Sequence, residues 1–145
     1  MLTLTAAREE DMPWVNEQYR EVGFAASDYG NEIIVIAEWD GEKAGVGRLV
    51  NMGQDTYEMG GIYVQGRFRG KQAAGAIVGF LVEEAGRREI PHVYCIPFAH
   101  LESFYSRFGY KRVEDEFAVH PGVLKKYRWC RTEYPQETIL MKLIP

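Results

Sequence analysis

Between Gly61 and Ala74 the chain reads GIYVQGRFRGKQAA, a strand-like run that breaks into a basic, glycine-bearing turn and then opens a helix. The first N–H groups of a helix have no partner within it, so such a junction can hold anions, phosphate above all. Arg67, Arg69 and Lys71 add positive charge around Gly70, while Gln72, Ala73 and Ala74 begin the helix and expose its amides. A solvated basic turn has the same composition, and a glycine-bearing turn alone specifies no ligand. Metal and disulfide chemistry are not expected: Cys95 and Cys130 are the only cysteines, and they form neither a CxxC nor a His/Cys cluster at ligand spacing. Lys125, Lys126, Arg128 and Arg131 interleave with Tyr127 and Trp129, a pattern found on RNA-stacking surfaces and, more often, on a solvated strand or loop. With 17 basic against 21 acidic residues and a net charge of −4, the solvated reading is favoured, and neither nucleic acid nor an anionic membrane is an expected partner.

These residues need a scaffold to bring them together. A chain of 145 residues with 46% hydrophobic content fits one domain over residues 1–145 with a sizeable core. The opening MLTLTAAREED has no basic stretch leading into an apolar one, and no apolar run approaches the ~20 residues of a membrane helix. A soluble, cytoplasmic protein is expected. Leu2 and Leu4 alternate with threonines as a first strand does, Asp11 is placed to cap a helix with Pro13 in its first turn, and Met12, Val15, Tyr19 and Val22 recur at helical spacing up to Gly23. Ile33 to Trp39, the turn Asp40-Gly41 and Ala44 to Val50 read as a hairpin, with Thr56 to Val64 as its next antiparallel partner.

The helix after Gly70 places Ala74, Ile77, Val78, Leu81 and Ala85 on one face. Gly75 and Gly79, one turn apart, mark a surface approached closely by a backbone or ligand. His92 to Ile96 follows as a buried strand, which makes a crossover with parallel pairing to Thr56 to Val64. A last helix carries Leu101, Phe104, Tyr105 and Phe108 and stops at Gly109, after which Tyr110 to Val113 resumes as strand. His120-Pro121-Gly122 and Tyr134-Pro135 mark turns, and Glu137 to Leu143 closes the sheet. This order predicts an α/β fold: a mixed, mostly antiparallel sheet with one parallel crossover and helices on both faces.

That order, with GIYVQGRFRGKQAA and with SFYSRFGYKRV after the next strand, resembles the GNAT superfamily of N-acetyltransferases over roughly Leu2 to Val113. DGEKAGVGRLV is similar to the family's hairpin, and FYSRFGY to its FYEKxGF. The resemblance implies an enzyme that uses acetyl-CoA, without a metal, to acetylate a small or protein-borne amine. It implies a site where the fourth strand splays from the fifth, with a Gln/Arg-x-x-Gly-x-Gly/Ala loop around the pyrophosphate. Arg67 and Gly70 fit that loop, but Gln72 stands where the family prefers glycine or alanine, which narrows the approach of the phosphates. Phe98 stands where the family often carries asparagine, seven residues before Tyr105. A CoA-binding module without catalysis is the alternative.

The resemblance assigns Tyr105 as the general acid for a leaving thiolate of pKa about 8.5; without it, Tyr105 is one more residue of an apolar stripe. It also implies that a backbone amide within Ile62, Tyr63 and Val64 polarises the thioester and that these exposed strand groups pair with the pantetheine arm. An alkyl amine arrives protonated and needs a base. Glu58 is the candidate, and strict alternation puts it on the face of Ile62 and Val64 unless a bulge at Gly60-Gly61 breaks the parity. Glu102, Asp28, Glu21 and His100 are weaker candidates. The acceptor pocket is expected from Val22 to Gly30 and Phe117 to Pro135, where Tyr127, Trp129 and Tyr134 enclose a substrate, fill a core or form a homodimer contact.

Overall fold

The computed structural model describes residues 1–144. Its strands are Leu2–Ala6 (β1), Glu32–Trp39 (β2), Glu42–Gly53 (β3), Thr56–Val64 (β4), His92–Cys95 (β5), Tyr110–Arg112 (β6) and Met141–Leu143 (β7), and they form one sheet in the order β1-β2-β3-β4-β5-β7-β6. Every neighbouring pair is antiparallel except β4 and β5, which run parallel from Thr56 opposite His92 to Met59 opposite Cys95. The helices are Met12–Glu21 (α1), Ala73–Arg87 (α2), Glu102–Ser106 (α3) and Pro121–Glu133 (α4). Asp40 and Gly41 take φ of 50° and 85°, the two positive values of a type I′ turn, and join β2 to β3 as expected.

The crossover helix α2 lies on one face. Its Ile77, Val78 and Leu81 are fully buried against Val35, Leu49, Met59 and Val93, each such side chain contributing about 2 kcal/mol. Ala73 rather than Ala74 takes the buried position in the first turn. What lies against Gly75 and Gly79 within the chain is aromatic side chain rather than backbone: a Cβ there would lie 3.8 Å and 3.6 Å from the Phe108 ring. The close approach of α2 falls instead on β3, where a Cβ at Gly47 would come within 2.4 Å of Ile77 Cγ2. On the other face, α1 buries Val15 and Tyr19 against Ile34, Ile36 and Val46, while Val119 and Val123 pack with Tyr94 and Leu140.

Four local readings need correction. Asp11 precedes α1, but its carboxylate accepts the Arg8 N–H at 2.8 Å rather than capping α1. The helix expected over Leu101 to Phe108 keeps only five residues as α3, Leu101 belonging to a preceding 3-10 turn. His120-Pro121-Gly122 starts α4: Pro121 needs no N–H at the first helical position, and His120 Nδ1 accepts the Gly122 N–H at 3.0 Å. The basic, aromatic segment 125–131 is therefore helix, not strand or loop. Only Met141–Leu143 of the closing segment is strand, and it enters the sheet between β5 and β6.

Candidate active site

β4 is longer than its partner β5, and that difference makes the site. Their pairing stops at Met59 and Cys95, whereas β4 continues to Val64, so the two strands part beyond Met59. On its other side, Val46 pairs with Tyr63 and Arg48 with Gly60, which sets Gly47 alone against Gly61 and Ile62. This is a β-bulge, and it leaves a residue outside the ladder. Gly61 takes φ of 60°, and a Cβ there would lie 2.6 Å from the Tyr19 hydroxyl and 3.0 Å from Arg48 Nε. Only glycine meets both constraints. The Tyr19 hydroxyl donates to the Gly61 carbonyl at 2.8 Å and so holds the bulge from the α1 side. Burial pushes the Tyr19 pKa well above the ordinary tyrosine range and keeps it a donor. Arg48, 4.2 Å over the Tyr19 ring, donates to Ser27 Oγ at 2.6 Å and faces Glu32 at 3.8 Å.

The bulge also changes the parity of β4. Met59, Ile62 and Val64 join the α2 face, while Glu58 and Tyr63 turn to the other, so the expectation of strict alternation from Glu58 to Ile62 gives way to the bulged alternative. Glu58 is 3% exposed, and its carboxylate lies against Gly60, where a Cβ would come within 2.7 Å of Oε2. The Lys126 ammonium on α4 donates to Glu58 Oε1 at 2.5 Å.

Glu58, Gly60, Gly61 and Ile62 line a cavity of about 330 Å³ together with Cys95, Tyr105 and Lys126. Phe24, Trp129 and Tyr134, from the two segments expected to enclose an acceptor, give it apolar walls, and Phe98, just beyond the end of β5, adds a fourth from outside them. Tyr105 is held edge-on by Phe104 and Tyr110, with centroids 5.0 Å and 6.0 Å away. Burial, then the neighbouring Cys95 and Glu58, raises its pKa beyond the ordinary tyrosine range, so it stays protonated at neutral pH. Its hydroxyl makes no hydrogen bond among the described residues and is free to donate to a ligand.

A second groove runs from the edge of β4 to the start of α2. Val64, Arg69, Gly70, Lys71, Gln72, Ala73 and Ala74 line it. Gln72 is the N-cap of α2 at φ of 62°, and its side chain caps nothing, which leaves the first-turn amides to a ligand. With two cations beside those amides, the groove suits a diphosphate. Arg67 lies outside it: the guanidinium pairs with Glu42 at 3.3 Å and covers Phe68. Tyr63 lines neither cavity and packs with the α1 cluster. Of the weaker candidates, Glu102 pairs with Arg112, Asp28 accepts the Gly30 N–H, and Glu21 and His100 are exposed. Among the described residues no three His, Cys, Asp or Glu side chains gather as a metal site, and no helix is long and apolar enough to cross a membrane.

The family model described as acetyltransferase (GNAT) family matches residues 2–110. The chain belongs to that family. GNAT structures share its fold. The ribosomal-protein-S18-alanine N-acetyltransferase of Escherichia coli superposes with a TM-score of 0.72 at 14% identity, over 99% of this chain and 93% of the other. A Mycobacterium tuberculosis protein in complex with CoA gives 0.73 at 18% identity, over 99% of each chain. A GNAT acetyltransferase of Elizabethkingia anophelis with acetyl-CoA bound gives 0.67 at 13%, over 99% and 98%. No curated protein sequence matches the chain. At these identities the structural likeness shows the fold: a mixed seven-stranded sheet with one parallel pair and packed helices.

Sequence reasoning missed three polar residues at this cavity and its bulge. Lys126 was read with its basic neighbours, and Glu58 stands 68 residues away. Arg48 and Tyr19 support the bulge from elements whose residues signal only burial. For Tyr19 and Arg48 no signal short of the bulge itself was available; for Lys126 the helical phase of α4 would have served.

Proposed function

We propose that the chain is an N-acetyltransferase, one domain over residues 1–145, that moves the acetyl group of acetyl-CoA to a primary amine by direct attack in a ternary complex. The observation that carries this reading is the parting of β4 from β5 beyond Met59, which opens the bulge onto a cavity shared by Tyr105 and Glu58. Arg69, Gly70, Lys71 and the first amides of α2 hold the pyrophosphate, and the freed edge of β4 from Ile62 to Val64 receives the amides of the pantetheine arm. An N–H released by the bulge polarises the thioester carbonyl, a donor worth about 3 kcal/mol when preorganised in a dry site. Glu58 takes the proton of the arriving ammonium. The acceptor is a small amine or an exposed protein amine enclosed by the aromatic walls.

As the C–S bond breaks, Tyr105 protonates the departing thiolate. The test is thiol release from acetyl-CoA over an amine panel, beside calorimetric CoA binding. Tyr105→Phe is expected to lose roughly 100-fold in kcat, the ordinary worth of a positioned acid, while still binding CoA. An unchanged kcat removes Tyr105 from the reaction. The second reading, a CoA-binding module without transfer, is favoured by one observation, the Lys126 ammonium already seated on Glu58. Binding of CoA without turnover of any amine would support it.

A further inference from the structure

The Lys126 ammonium occupies the place an acceptor amine has to reach. It is 2.5 Å from Oε1 of Glu58, and both side chains line the cavity into which the bulge and Tyr105 open. It comes from the middle of α4, and its side chain is 43% exposed while that of Glu58 is 4% exposed. The carboxylate is therefore fixed, and the amine is a mobile group on a flexible four-carbon stem. The pocket holds two thiols besides, Cys95 and Cys130, but burial pushes both above their ordinary range and leaves them protonated at neutral pH. Lys125, the preceding residue, is exposed and lines no part of the cavity.

From this juxtaposition we infer that Lys126 is itself an acetyl acceptor, modified in cis when no competing amine fills the pocket. The inference rests on the acetyltransferase reading above. Glu58 accepts a proton from the Lys126 ammonium, and the freed lone pair of Nζ attacks the thioester carbonyl. The N–C bond forms, the C–S bond breaks, and the thiolate takes the Tyr105 proton. The nitrogen gives up its second proton to restore Tyr105 and Glu58 passes the first to solvent, so the balance is one Nζ-acetyllysine, one free CoA thiol and one proton released. Acetylation removes the lysine charge, breaks the pair with Glu58 and leaves the carboxylate open to an external amine. It happens once per chain.

Purified protein is incubated with acetyl-CoA and no added amine, and followed by intact mass and peptide mapping. The expected result is a single acetyl group at Lys126, formed at a first-order rate that does not change with protein concentration. Glu58→Gln and Tyr105→Phe should each slow it roughly 100-fold, in samples whose thermal melts show a folded chain. Two variants guard against one failing to fold. Lys125 serves as the internal control for chemical acetylation. Equal labelling of Lys125 and Lys126, an unchanged rate in both variants, or a rate constant that rises with protein concentration overturns the inference. Turnover of an external amine by protein whose Lys126 stays unmodified when acetyl-CoA is supplied alone also overturns it, and leaves the acetyltransferase reading standing. Failure to bind CoA brings down both.

Discussion

Gln72 shows how one residue serves two requirements at once. It stands at φ of 62°, in the left-handed region where a residue bearing a Cβ is strained by roughly 1–2 kcal/mol and glycine is not. Its side chain makes no cap bond to offset that strain. The sequence-based concern was that its bulk narrows the phosphate approach; the conformation supplies an independent reason why glycine suits this position. Gln72→Gly should therefore stabilise the chain by about 1 kcal/mol, read as a higher Tm, and should also tighten CoA in calorimetry. A higher Tm with weaker CoA would mean that the Gln72 side chain contacts the ligand. An unchanged Tm would mean that the left-handed cap carries no strain. Lys71 and Arg69, which line the same groove, are left untouched by this substitution.

The bulge of β4 is an element-scale device, since it depends on a residue of α1 and one of β3 as well as its own glycines. A methyl group at Gly61 would meet the Tyr19 hydroxyl at 2.6 Å and would also have to adopt a positive φ. Gly61→Ala should cost about 2–3 kcal/mol, combining overpacking with backbone strain. Because part of that cost is the collision with the hydroxyl, Tyr19→Phe and Gly61→Ala should be non-additive in a double-mutant cycle of urea unfolding. Strict additivity would place the whole cost in the backbone. The same elements explain what the sequence disclosed and what it hid. Strong periodicity marked β2, β3, β4 and α2, and Asp40-Gly41 marked their hairpin. α4 was hidden because Pro121-Gly122 signals a turn as readily as a helix start, and its buried residues are few, Val123 and Cys130. The glycines at 60 and 61 announced a bulge, but its consequence for Glu58 followed only from the register. The pairing of Glu58 with Lys126 joins β4 to a helix that local pattern could not place, so the site was legible as a phosphate junction and a tyrosine, not as a charge pair.

Across the whole molecule, the packing around the site buries several groups that are neutral at pH 7 and acidic at higher pH. Burial raises Tyr105 and Tyr110 above the ordinary value of 10.0, Tyr19 likewise, and Cys95 above 9.0. Each keeps its proton in the folded chain and ionises at its ordinary value when unfolded. The folded state then binds more protons than the unfolded one, so stability falls as pH rises. These contributions are intact below the ordinary values of 9.0 and 10.0 and are lost as pH climbs from there toward the raised values of the folded chain. Within that window each group removes about 1.4 kcal/mol of stability per pH unit. Tyr110 isolates one of them, because its hydroxyl has only the weak acceptor Met59 Sδ, at 3.4 Å, as its partner. Urea unfolding followed from about pH 8 to about pH 11 should show steeply falling stability, and Tyr110→Phe should make the decline shallower by roughly one group. Equal slopes in the two proteins would mean that the Tyr110 hydroxyl ionises alike in the folded and unfolded chain. The packing that raises its pKa, edge-on against Tyr105, would then be looser than the ring geometry implies.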